Sequence, residues 1–155
     1  MELNKIISVL YVDDEAQNLT AFKANFRKIF NVYLAESASE ALDIIKSSKI
    51  DVVITDHMMP EVSGVDLLEI LKRDYPLIGR ILITGCNDIN IVIEAINRCE
   101  VFRFLTKPWV KEDLTQTIEA SYYANQEKQL DDKMKDKLVQ TNQQLEFMLR
   151  QKLIS

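Results

Sequence analysis

With 155 residues, 47% hydrophobic and 28% charged, the chain has room for one ordinary domain plus a short extension, and not for two domains. A formal net charge of -5 argues against a basic surface for nucleic-acid phosphates, and no run approaches the roughly 18 apolar residues of a membrane span. A domain of this size buries roughly 68–70% of its unfolded surface and needs no staple to fold. Cys86 and Cys99 lack any Cys-x-x-Cys or Cys/His spacing and therefore read as buried free thiols of a reducing compartment. The start Met1-Glu2-Leu3-Asn4-Lys5 has no secretory apolar core, so a cytoplasmic protein is expected.

Apolar runs of strand length alternate with segments of helical period. Residues 6–12 read as a first strand, followed by a helix whose apolar face is Leu19, Phe22, Phe26 and Ile29. A second strand at 32–35 leads into Ser37 with Glu40 three residues on, a capping-box signature, and then into a face of Ala38, Ala41, Leu42 and Ile45. Residues 52–54 form the third strand, and the helix after it, from about Gly64 to Tyr75, is closed by Pro76. Residues 81–83 form the fourth strand; Asp88 is a candidate cap for a helix with Val92, Ala95, Ile96 and Cys99 on one face. Residues 101–105 form the fifth, and Leu114, Ile118 and Tyr122 pack a last helix. The strand runs are largely free of polar interruptions, as in parallel strands covered on both faces. Five strand–helix units predict an α/β fold, a doubly wound five-stranded parallel sheet with right-handed crossovers.

All glycines and prolines lie between residues 60 and 108, so the last 47 residues can form one extended C-terminal helix. The charge balance also changes: 13 basic against 19 acidic residues up to 122 gives -6, and 6 against 5 afterwards gives +1. A domain at 1–122 and a helical extension at 123–155 are expected. Leu130, Met134, Leu138, Leu145 and Leu149 recur at spacings of four or seven, which points to a homodimeric coiled coil, with Thr141 or Asn142 near the seam; the bland alternative is a solvated, partly frayed helix. A helix reaching Ile154-Ser155 without a terminator implies relay into an output domain outside this chain.

In doubly wound sheets, function sits beyond the carboxyl ends of the strands. The first strand runs into Asp13-Asp14-Glu15, the third ends at Asp56, the fourth at Thr84, and Lys107-Pro108 follows the fifth. If the strand order is 2-1-3-4-5, Asp13, Asp14 and Asp56 converge on one rim with Thr84 and Lys107 beside them. A carboxylate pair 4 Å apart costs about 4 kcal/mol near a protein surface, so cations must offset the three acids. Lys107 supplies one charge; a hard divalent ion that keeps several waters supplies the rest, and Mg²⁺ suits the site better than Ca²⁺. A metal-bound carboxylate facing a lysine and a hydroxyl is suited to attack phosphorus.

Tyr11-Val12-Asp13-Asp14-Glu15, the run Asp56-His57-Met58-Met59-Pro60-Glu61-Val62-Ser63-Gly64, Ile83-Thr84 and Phe104-Leu105-Thr106-Lys107-Pro108 resemble the receiver domain of bacterial two-component response regulators, CheY-like proteins of flavodoxin-like fold. The resemblance covers residues 5 to about 122. It implies phosphotransfer from a sensor histidine kinase or phosphotransfer protein to Asp56, with Mg²⁺ held by Asp14, Asp56 and the backbone carbonyl of Met58, and Asp13 acting through water. It further implies that Thr84 swings its hydroxyl to the acyl phosphate, that Lys107 pairs with it, that Phe104 changes rotamer in response, and that Lys107-Pro108 is cis. The output face would be the fourth helix, fifth strand and fifth helix.

Gly85 after Thr84 implies open access to the phosphoryl group, while Met58 and Cys86 occupy positions that influence its lifetime. Segments around Thr84, Ala95-Ile96-Asn97 and Arg103 to Trp109 resemble receivers joined to HD-type phosphodiesterases or to hydrogenase-type transcription regulators. Taken singly, each acid reads as a solvated loop residue or a helix cap, and Lys107 as a surface lysine; their joint placement reverses this. His57, with no second ligand at metal spacing, reads as an exposed loop residue. Trp109 reads as an anchor for the last helix, and Phe104 could be plain core. A rival reading is an unphosphorylated interaction scaffold with no chemistry of its own. A haloacid-dehalogenase-like phosphatase is disfavoured because His57 and Met58, not a second acid, follow Asp56.

Overall fold

The computed structural model describes residues 5–85 and 89–154. Five strands, β1 (Ser8–Val12), β2 (Asn31–Ala35), β3 (Val52–Asp56), β4 (Gly79–Thr84) and β5 (Arg103–Thr106), alternate with helices α1 (Ala16–Phe26), α2 (Ala38–Ser47), α3 (Gly64–Asp74), α4 (Ile89–Cys99) and α5 (Lys111–Ile154). All strand pairs are parallel and the order is β2-β1-β3-β4-β5, the expected doubly wound sheet. This places β1 beside β3, the switch point at which the order of strand addition reverses.

Alternation along the strands sorts two cores. Leu10, Val12, Val53 and Leu82 face α2, α3 and α4 through Ala38, Ala41, Ile45, Leu67, Leu71, Ala95 and Cys99. Val9, Tyr11, Ile54, Ile81 and Ile83 face α1 and the first turns of α5 through Phe22, Phe26, Leu114 and Ile118. With both faces covered, β3 is buried at every position, which accounts for its uninterrupted apolar run. Ser37 caps α2 by accepting from the Glu40 N–H, and the Glu40 carboxylate accepts from the Glu36 N–H, one residue before the capping-box position. Ser63 caps α3 by accepting from the Asp66 N–H.

Four expectations need correction. Residues 101–105 do not form a buried strand: β5 is an edge whose residues are exposed or half-buried, with Phe104 at 39% exposure, so Phe104 is not core. Ile29 is exposed because α1 ends at Phe26, and Phe30 takes the buried place instead. Ile96 also faces out; α4 buries its small residues Ala95 and Cys99, with Cys99 Sγ donating to Val65 O on α3. His57 is buried, as detailed below. The Asp88 cap and Cys86 lie outside the described residues.

The chain divides into two compact units, one up to Tyr122 and one from Tyr123. The second is helical and leaves Leu130, Met134, Leu138, Leu145 and Leu149 exposed. No helix of the described residues is long and apolar enough to cross a membrane.

Candidate functional site

Asp13 immediately follows β1, Asp56 ends β3, Thr84 ends β4, and Lys107 immediately follows β5. Parallel neighbours put these ends on one rim, and the carboxylates of Asp13, Asp14 and Asp56 can each place an oxygen within 4.8 Å of the others. Asp13 and Asp56 are buried and Asp14 is exposed. Lys107 bridges the buried pair, its Nζ 3.1 Å from Asp13 Oδ2 and 3.3 Å from Asp56 Oδ2.

Asp13 is held by four donors. Tyr11 Oη (3.0 Å), Asn18 Nδ2 (3.1 Å) and Lys107 Nζ donate to Oδ2, and the Glu15 N–H donates to Oδ1 at 3.0 Å. Tyr11 is fully buried with its ring stacked on Phe22, and its pKa is pushed far up by burial and by Asp13, so the phenol stays a donor. Sequence reasoning missed both Tyr11 and Asn18. Tyr11 was findable, because residues two apart on a strand share a face.

Burial raises the Asp56 pKa, and Asp13 adds to the rise; Lys107 and the Met58 backbone N–H oppose it. Burial alone would lower the Lys107 pKa, but its hydrogen bond to Asp13 and the charges of Asp56 and Asp13 leave it raised, so the lysine is an ammonium. Three acids against one lysine leave negative charge in excess. An oxygen donor set of this kind, partly open to solvent through Asp14, fits Mg²⁺.

The loop after β3 closes tightly over the site. His57 donates its N–H to Ile83 O (3.1 Å) and accepts from the Gly64 N–H at 3.1 Å. A Cβ on Gly64 would lie 2.0 Å from Asp56 O, so only glycine permits this return. Between them, Val62 N–H donates to Pro60 O at 2.8 Å across Glu61, whose φ is 69°, a strained γ-turn. The Met58 side chain is exposed, and Met58, Met59, Pro60, Ser63 and Gly85 line the open concavity beside Asp14, Asp56 and Lys107. The Lys107 N–H donates to Thr84 O at 2.9 Å, and Lys107-Pro108 is cis.

His57 is not an exposed loop residue: its N–H on Ile83 O continues the β3–β4 pairing, and its carbonyl accepts from the Gly64 N–H. His57 is 8% exposed, and its Nδ1 lies 2.7 Å from Thr84 Oγ1. Trp109 packs against Phe22 and Phe26, with ring centroids 6.3 and 5.5 Å away, ahead of α5.

An acid pocket bridged by a lysine, at the carboxyl edge of a 2-1-3-4-5 parallel sheet, defines a flavodoxin-like α/β architecture. Comparison with known proteins narrows this. The sequence profile described as "Response regulator receiver domain" matches residues 9–119. The chain is 31% identical over 115 residues to the hydrogenase transcriptional regulatory protein HoxA of Cupriavidus necator, covering 74% of this chain and 24% of HoxA. Among solved structures, the signal receiver domain of an HD domain-containing protein from Pseudomonas fluorescens Pf-5 is similar, with TM-score 0.76, 27% identity, and coverage of 79% of this chain and 99% of that one. The beryllofluoride-activated NtrC4 receiver domain dimer is also similar, with TM-score 0.71, 28% identity, and coverage of 76% and 98%. The chain belongs to the response regulator receiver domain family. It spans about a quarter of the length of the curated relatives it matches, which are regulators rather than classical enzymes.

Proposed function

We propose that this chain is a phosphorylation-controlled receiver in which Asp56 accepts a phosphoryl group from the phosphohistidine of a sensor histidine kinase or phosphotransfer protein. An Asp56 Oδ forms a bond to phosphorus, the P–N bond breaks, and its electron pair leaves with the donor imidazole. Asp14, Asp56 and the Met58 backbone carbonyl would hold Mg²⁺, with Asp13 reaching it through water; when bound, the ion neutralises the pocket and the incoming phosphoryl oxygens. Lys107 stabilises charge on the transferring group, and Thr84 then donates its hydroxyl to a phosphoryl oxygen. Movement of Thr84 makes room for Phe104, which lies on the adjacent strand. The output surface is the face made by α4, β5 and α5, where Ile89, Ile93, Ile96 and Phe104 are exposed.

The observation that carries the reading is the lysine bridge: one ammonium between two buried carboxylates, with a third acid able to complete a cation site. The exposed stripe of Leu130, Met134, Leu138, Leu145 and Leu149 supports homodimerisation through the C-terminal helix, and a cytoplasmic receiver would use its switched face to control dimerisation or an output domain. The test is incubation with acetyl phosphate, with and without Mg²⁺. Wild-type chain gains one phosphoryl group only with the metal and Asp56→Asn gains none; equal labelling of the two contradicts the assignment.

A further inference from the structure

Thr84 Oγ1 lies against the ring of His57, the chain's only histidine. On the reading that Asp56 is the phosphoacceptor and Thr84 the responding hydroxyl, we infer that His57 is a positioning residue that holds Thr84 in its resting place and so sets the threshold for switching. Three observations carry this. The Thr84 Oγ1 to His57 Nδ1 contact is 2.7 Å long and buried, where neither partner can exchange it freely for water. The His57 backbone is pinned from both sides, its N–H on Ile83 O and its carbonyl on the Gly64 N–H. Gly64 in turn packs so closely on the Asp56 backbone that a Cβ there would lie 2.0 Å from Asp56 O. On the proposed function Thr84 is the member of the pair that moves, and the buried ring is what it leaves. A phosphoryl oxygen on Asp56 that draws the Thr84 side chain toward it draws Oγ1 away from His57, so two positions of one side chain compete. The proton lies with either partner according to the ring tautomer, and either arrangement ties Oγ1 to the ring.

An asparagine at 57 can place its amide oxygen or nitrogen about where Nδ1 sits and retain the contact; a leucine cannot. His57→Leu should therefore bind beryllofluoride, with Mg²⁺ present, about threefold to tenfold more tightly than wild type, the range one buried hydrogen bond contributes, and His57→Asn should stay close to wild type. The resting contact is read separately in the full chain labelled with ¹⁵N-histidine, where a single ring makes assignment unambiguous. At constant pH, the Nδ1 signal of the resting chain should change on Thr84→Val, and in the wild type on adding Mg²⁺ with beryllofluoride. This ring measurement stands even if His57→Leu fails to fold. Beryllofluoride binding that leaves the ring signal unchanged, or equal affinity for wild type and a folded His57→Leu, overturns the inference alone. Absence of any binding by wild type contradicts the phosphoacceptor reading and takes the inference with it.

Discussion

At the residue scale, the site is a contest between burial and charge. Burial holds the Asp56 pKa above the ordinary carboxylate value, so the carboxylate is less favoured in the folded chain than in the unfolded one. The stability due to this group is present below the unfolded carboxylate pKa and is lost as pH rises through the raised value. Asp56→Asn should therefore raise the Tm of the metal-free chain at neutral pH, and the advantage should shrink toward acid pH. Thermal melts at several pH values check this, and Mg²⁺ should raise the Tm of wild type more than that of the variant. Gly64→Ala works through sterics: its Cβ would fall 2.0 Å from the Asp56 carbonyl oxygen, so a loss of about 3 kcal/mol or more is expected in urea unfolding. Asp13, Asp56, Thr84 and Lys107 were legible as candidates because each ends or follows an apolar strand run and so marks a rim position. The burial of His57 was not, because it depends on where the Gly64 backbone returns rather than on any local pattern.

At the element scale, the helix faces that the sequence marks hold where the helix itself runs on. Leu19, Phe22 and Phe26 are buried, but extending the same period to Ile29 fails one turn later, because the chain has already left α1. In β5 an apolar run resembles a core strand, yet its place at the sheet edge leaves Phe104 exposed; sequence carries composition, whereas exposure follows strand order. Capping serves the site directly, since Ser63 starts α3 at the residue before Gly64. Ser63→Ala should cost about 1 kcal/mol, measured by chemical denaturation, with the urea dependence unchanged. Arg98 on α4 pairs with Asp66 and Glu69 on α3 and with Glu94 on its own helix, a tie that neither period nor motif announces. These ion pairs are exposed, so amide exchange in α4 should speed up with added salt more in wild type than in Arg98→Met.

At the scale of the whole molecule, two-sided burial of the sheet gives a rigid frame from which strand ends present the acids, while α4 and β5 keep large apolar residues outward. The helical unit beyond Tyr122 carries its own exposed stripe, and Met134 to Leu145 and Leu138 to Leu149 are each eleven residues apart, a spacing that keeps both pairs on one side of a helix. Leu138→Lys should shift sedimentation of the full chain from dimer toward monomer without lowering the melting temperature of the receiver unit; identical sedimentation of the two would remove the coiled coil. Receiver function in this chain turns on where phosphorus attaches. Treating the chain with acetyl phosphate and Mg²⁺, then with borohydride, reduces an aspartyl phosphate to homoserine, which peptide mass spectrometry locates. Homoserine at position 56 alone is the predicted result; modification confined to another residue, or none anywhere under conditions that label a known receiver, would contradict it.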